Sequence, residues 1–182
     1  ALTRPSRPAI RDGTAVLAGS GTVVALRIDD RTRLWERSLD HSALSAPTAI
    51  SSTVVVPHPT GVTALGFDGA VRWRRTLGDA TQEVRTAAAT SDVVVVVHGE
   101  TLYGLSAHSG QTLWTVEGIT APPTIADGVV YATDDARLVA ADLSTGDLLF
   151  EYEYSGVLAP VIAGDGRLYG KSATHAIAFE ET

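Results

Sequence analysis

The sequence contains no cysteine and no asparagine, and its only lysine is Lys171. Without cysteine there is no disulfide, no thiolate nucleophile and no cysteine-ligated metal, and no redox compartment can be read. Long apolar runs are missing too. The longest, Val93 to Val97, has the length of a strand and falls far short of the roughly 18 residues a membrane helix needs. No window of ten or more residues shows a 3.6-residue apolar period, which excludes a helical domain. Basic charge is in deficit, at a formal net charge of -7, and this argues against a nucleic acid or an anionic membrane as partner. No nucleophile elbow, P-loop or dinucleotide fingerprint occurs. The chain opens without Met and without a leader, so a mature form or a fragment of a longer chain is expected.

What is present is a repeat. The 182 residues, 45% apolar and 19% charged, suffice for one domain with a sizeable core. Four stretches align: "RIDDRTRLWERSLD" (27–40), "GFDGAVRWRRTLGD" (66–79), "SAHSGQTLWTVEG" (106–118) and "ADLSTGDLLFEYEYSG" (141–156). Each places a large aromatic residue after a turn: Trp35, Trp73, Trp114 and Phe150. A second anchor begins at Pro8, Pro47, Thr86, Pro123 and Pro160. Both anchors give a period of about 38 residues.

Each unit resolves into four strand-sized runs. In the second unit they are 47–50, 54–58, 62–67 and 71–77, separated by Ser51-Ser52, Pro59-Thr60-Gly61 and Asp68-Gly69. Asp12-Gly13, Asp127-Gly128 and Asp165-Gly166 mark the first hairpin of units one, four and five, since Asp-Gly between apolar runs suits a tight turn. Four antiparallel strands recurring every ~40 residues predict an all-β fold, a β-propeller of about five four-stranded blades. The repeats fall at approximately 8–45, 46–84, 85–121, 122–158 and 159–182 of a single domain, the last without its own fourth strand. The aromatic early on each fourth strand is expected to lock one blade onto the next, so Trp35, Trp73, Trp114 and Phe150 are read as structural blade-packing residues.

Residues 126–150, "ADGVVYATDDARLVAADLSTGDLLF", resemble the propeller repeat of the pyrroloquinoline-quinone (PQQ) type, with Phe150 in place of its tryptophan. The resemblance covers nearly the whole chain. It implies a propeller and, in the dehydrogenase branch, a quinone over a Trp floor with Glu/Asn/Asp ligands to Ca²⁺, an Asp base and often a vicinal Cys pair. The absence of Cys and Asn speaks against that branch, so no cofactor is expected. The non-enzymatic branch implies exported scaffolds, such as the lipoprotein propeller of outer-membrane assembly machinery. Two arrangements remain open: a ring closed at five blades by residues 1–3, or part of a larger propeller.

Other candidates are weaker. In a propeller the loops joining second to third strands share one rim, which would carry His58, His98, Asp134, Asp135 and His175, residue types that ligate divalent metals. Separate blades would hold them apart, so no metal site is expected. Glu151 and Glu153 sit too close on one strand face for a glycosidase pair. Arg72, Arg74 and Arg75 flank Trp73 and read as charges protecting an edge strand. A carbohydrate surface would rest only on Tyr103, Tyr131 and Tyr169, which occupy strand positions of the core. The expectation is a non-catalytic, extracytoplasmic interaction or assembly scaffold. Its partners would be proteins bound through a loop face or blade edge, or through self-assembly or the remainder of a larger propeller. No nucleic acid partner and no membrane span are expected.

Overall fold

In the computed structural model, the described residues are 5–41, 44–81, 86–134, 136–153, 161–164, 167–171 and 176–180, with side chains omitted at 177, 179 and 180. The expected Asp165-Gly166 hairpin and the pairing of residues 1–3 lie outside them. The first sheet is β1 (Ala9–Arg11), β2 (Thr14–Gly19), β3 (Thr22–Arg27) and β4 (Arg33–Ser38). The second is β5 (Thr48–Ile50), β6 (Thr53–His58), β7 (Gly61–Gly66) and β8 (Val71–Thr76). The third comprises β9 (Ala88–Ala89), β10 (Val93–His98), β11 (Thr101–Ser106) and β12 (Thr112–Glu117). The fourth comprises β13 (Thr124–Ala126), β14 (Val129–Thr133), β15 (Arg137–Asp142) and β16 (Leu148–Glu153). A fifth has three described strands, β17 (Ile162–Gly164), β18 (Arg167–Lys171) and β19 (Ala176–Glu180). Every pairing is antiparallel between consecutive strands, and no described residue is helical.

The innermost strands neighbour one another in chain order, β1 by β5, β5 by β9, β9 by β13 and β13 by β17. Threonine hydroxyls tie them across the seams. Thr48 donates to the Ala87 carbonyl at 2.8 Å, and Thr124 to that of Val161 at 2.5 Å. The first hairpins turn as their sequence requires: Asp12-Gly13 and Asp127-Gly128 both have positive φ, the pair of angles a two-residue turn between twisted strands needs.

Because one sheet cannot cover both its faces, each blade buries one face against each neighbour. Val54, Val56 and Leu65 pack toward blade 1 with Val16, Ala18, Val23 and Ala25. Val55, Val62 and Ala64 of the same blade pack toward blade 3. The alternation of β6 thus serves two seams, which is why central strands read as unbroken apolar runs.

The outer seam is held by a recurrent device. In each of the first four blades the register shifts by one residue just before the outer-strand aromatic, leaving Leu34, Arg72, Leu113 and Leu149 as the extra residue of a bulge. Beyond that bulge Trp35, Trp73 and Trp114 lie over Ala25, Ala64 and Gly104 of their own sheets. Their indole N–H groups donate to carbonyls in the next blade's last turn: Phe67 at 2.6 Å, Ala107 at 2.8 Å and Leu143 at 2.9 Å. The other ring face rests on that turn's glycine. A Cβ on Gly110, at φ 71°, would lie 2.5 Å from Trp73, and Gly69 and Gly146 meet Trp35 and Trp114 in the same way. Phe150 has no N–H to donate. It is 46% exposed, with its ring 6.5 Å from that of Tyr131 in its own blade.

Trp73→Ala is expected to cost about 3–5 kcal/mol, and Gly110→Ala a comparable amount through clash and backbone strain. The double variant should cost less than the sum, because removing the indole makes room for the methyl. Urea unfolding of the four proteins of this cycle reads it out, and strict additivity would mean the glycine serves only its backbone angle.

Candidate functional site

The propeller has two rims. One carries the turns between first and second and between third and fourth strands, including the tryptophan contacts. The other carries the second-to-third-strand turns and the connections between blades, and holds most of the ligand-type side chains singled out in the sequence.

His58 ends β6 on the face turned toward blade 1, and is 4% exposed. Its Nε2 lies 3.1 Å from the Thr63 hydroxyl and its Nδ1 3.2 Å from that of Thr60. On its open face stacks His41, from the connection between blades 1 and 2, with ring centroids 3.7 Å apart and nearly parallel. Burial first, then the proximity of His41 and Arg74, pushes the His58 pKa from its ordinary 6.5 down to about 4. His98 holds the same repeat position one blade on. It is also buried, and its Nε2 donates to the Pro59 carbonyl of blade 2 at 3.2 Å. A Cβ on Gly78 would fall 2.4 Å from the His98 ring, so that glycine makes room for it.

In blade 4 the strand registers put Asp134 at the corresponding place, directly after Thr133, whose buried hydroxyl finds no hydrogen-bond partner among the described residues. Asp134 does structural work. Its carboxylate accepts from the Ala136 N–H at 2.8 Å and from Arg137 Nε at 2.9 Å. Burial alone would raise its pKa, but those donors and the Arg137 charge hold it below the usual range. Arg137 also pairs with Glu151 and donates to the Gly118 carbonyl of blade 3 at 3.1 Å. Asp135 and His175 lie outside the described residues.

His58, His98 and Asp134 therefore each turn into or beside a separate seam, and the structure does not bring them together. Among the described residues no group of three or more His, Asp or Glu side chains is placed to hold a metal ion. The residues do not fit a quinone site either: there is no Cys pair and no Asn, and all three tryptophans are committed to seams. His41 is the contributor that the sequence pattern missed. It lies in a connection of no recognisable repeat position, and only the docking of blade 1 on blade 2 shows its role.

On the other rim a polar cavity of about 380 Å³ opens between blades 2 and 3, lined by Ser51, Ser52, Arg72, Ser91 and His108 among others. Arg72 there is bridged to Asp68 at 3.2 Å. Arg75 reaches blade 3 and donates to the Thr112 hydroxyl at 2.9 Å. Tyr103 and Tyr131 pack against the core, while Tyr169 is 43% exposed.

One exposed apolar feature among the described residues is β16. Leu148, Leu149, Phe150 and Tyr152 are each 46–54% exposed, in the outermost strand of blade 4. Two of the three matching strands carry charge instead, Arg33, Glu36 and Arg37 on β4 and Arg72, Arg74 and Arg75 on β8, whereas β12 has only Glu117 and exposes Leu113.

A family model described as outer membrane protein assembly factor BamB matches residues 2–181. No curated protein matches the sequence. Among solved structures, BamB from Moraxella catarrhalis is similar with a TM-score of 0.61 and 16% identity, over 95% of this chain and 83% of that one. The computationally designed Ika8 protein is similar with a TM-score of 0.64 and 14% identity, over 97% of this chain and 71% of that one. At such identities the structural likeness carries the fold and nothing finer.

The His58 environment predicts acid sensitivity. In the unfolded chain His58 takes up a proton near pH 6.5, while in the fold it stays neutral until about pH 4. Lowering the pH from 6.5 to 4.5 should therefore remove about 2 kcal/mol of stability. Urea midpoints of the wild type and His58→Gln across this range test it. The variant should lose most of that pH slope, and an unchanged slope would assign the acid loss to other groups.

Proposed function

With residues 2–181 matched by its model, the chain belongs to the family of the outer membrane protein assembly factor BamB, a family of PQQ-like repeat β-propellers, and from that premise we propose a non-catalytic scaffold that acts outside the cytoplasm and holds an extended segment of a protein partner along β16. Residues 1–182 serve as a single propeller domain or as a segment of a larger propeller, with repeats at approximately 8–45, 46–84, 85–121, 122–158 and 159–182.

The carrying observation is the contrast between β16 and the charged outer strands β4 and β8. An outermost strand presents one row of backbone N–H and C=O groups to solvent, and natural sheets blunt such an edge with charge. β4 and β8 follow that rule, whereas β16 offers four large apolar side chains. An incoming strand would complete the backbone ladder and cover those side chains, with main-chain bonds supplying affinity and alternate side chains selectivity. Strands of outer-membrane barrels alternate apolar and polar residues over about ten positions, and β16 alternates Phe150 and Tyr152 with Glu151 and Glu153. This pattern suits a segment of that kind. The family's assembly role supports the same reading, as do residues that fit neither a quinone nor a metal.

The probe is a labelled ten-residue peptide of alternating apolar and polar residues, patterned on an outer-membrane strand. Binding should protect the amides of Leu148–Glu153 from hydrogen exchange, and Leu149→Lys with Phe150→Glu should weaken it by about tenfold or more, some 1.4 kcal/mol. Binding that leaves β16 unprotected, or no binding at all, would overturn the reading.

A further inference from the structure

The cleft of about 380 Å³ between blades 2 and 3 lies where the repeat departs from itself. Three positions around it change at once. The turns after β1, β9 and β13 each hold an aspartate, Asp12, Asp92 and Asp127, whereas the turn after β5 is Ser51-Ser52. The extra residue of the outer-strand bulge is leucine in blades 1, 3 and 4, at Leu34, Leu113 and Leu149, and arginine in blade 2, at Arg72. At the start of the third turn, the residue is Asp29, Asp68 and Ser144 in blades 1, 2 and 4, and His108 in blade 3. Each exchange leaves a hydrogen-bond donor or a cation beside the cleft, and no carboxylate is among its described lining residues.

A glycine makes the room. Gly66 pairs with Thr53, and the same register position in blades 1, 3 and 4 is held by Arg27, Ser106 and Asp142. Gly66 faces blade 3, as Val62 and Ala64 on the same strand do. Its φ lies outside the left-handed region, so the backbone there does not demand glycine. A Cβ would fall 2.6 Å from Arg72 Nη2 and 2.7 Å from its Nε. The missing side chain is therefore what lets the guanidinium lie against the sheet beside the cleft.

The donors are open to a ligand. Among the described residues, neither the Ser51 and Ser52 hydroxyls nor the His108 ring makes a hydrogen bond. Ser91, on the blade 3 side, donates to Asp92 at 2.6 Å. Arg72 Nη2 is bridged to Asp68 at 3.2 Å, with the two side chains 52% and 60% exposed, and an ion pair that wet holds weakly. Asp68 also accepts from the Ala70 N–H at 3.0 Å, so its carboxylate keeps a partner when the guanidinium turns to a ligand. A guanidinium matches the oxygens of a phosphate in pairs, and serine hydroxyls rotate to meet a third or fourth oxygen.

We propose that this cleft binds a phosphate group, either the free ion or the end of a small monoester. Arg72 with the Ser51 and Ser52 hydroxyls holds it from blade 2, and the His108 ring from blade 3. The site involves neither β16 nor the His58 rim, so it stands or falls apart from the scaffold reading.

An amide-resolved NMR titration of the full chain tests it, with inorganic phosphate and glycerol phosphate as probes. Ionic strength is held constant, so that screening does not imitate binding. At least one probe should give saturable shifts at Ser51, Ser52 and His108, with a Kd of about 1 mM or tighter. Tighter binding of glycerol phosphate would mark a monoester site, and tighter binding of the free ion a site for phosphate alone. Arg72→Leu, Ser51→Asp and Gly66→Ser each install the residue that another blade carries at that position, so all three should keep the wild-type circular dichroism. Each should weaken binding by about tenfold or more: the first removes the guanidinium, the second adds a like charge and the third displaces the guanidinium from the sheet. Arg74→Leu removes the same charge on the His58 side of the same strand and should leave the affinity unchanged. No saturable shift with either probe would overturn the proposal. An equal loss in Arg74→Leu would do so too, since it would reduce the effect to general attraction by the arginines. Acetate binding as tightly as phosphate would overturn the assignment to a phosphate.

Discussion

A tryptophan side chain lying between a small residue of its own sheet and a glycine of the next sets how closely the blades approach. The ring has no freedom to slide, because its N–H is spent on a carbonyl at the base of the same turn: Phe67, Ala107 or Leu143. Burying an aromatic ring contributes a few kcal/mol and the hydrogen bond adds about one more. Three such contacts are therefore comparable with the net stability of a domain. The bulge before each aromatic is part of the device. It adds the residue that carries the ring to the far face of its sheet, over the next blade, while the residues before it pack the other way.

The opposite rim solves the same problem with different chemistry. A histidine stack bridges blades 1 and 2, a histidine-to-carbonyl bond bridges blades 2 and 3, and an arginine-to-carbonyl bond bridges blades 3 and 4. Polar side chains at the end of a buried strand must find partners or pay the cost of desolvation, and the neighbouring blade's carbonyls are the nearest acceptors. Using them this way turns each side chain into its own seam. That is the physical reason three plausible metal-ligand types on one rim do not assemble into a site. Burial, with His41 and Arg74 close by, keeps His58 neutral.

Where the latch fails, surface is left over. Phe150 keeps the position and the bulge but lacks the N–H, and the strand that carries it exposes four large apolar side chains. Arg31 keeps the left-handed turn but fills the space a tryptophan would need.

The period, the four strands of each unit and the aromatic anchor were legible in the sequence, because each follows from local chemistry: alternation for strands, Asp-Gly for turns, and one large ring per repeat. Trp73 between Asp-Gly and a run of arginines announces an outer strand without any structure. The partners of the polar residues were not legible. His41 and His58 are neighbours only because blade 1 docks on blade 2, and His98 reaches Pro59 across some forty residues of chain. By itself the sequence determined the secondary structure, the repeat and so the propeller, since those depend on spacing along the chain. The tertiary structure alone decided which face of each blade is covered and where each imidazole points, because these depend on the angle at which one sheet meets the next, and local spacing does not encode that angle.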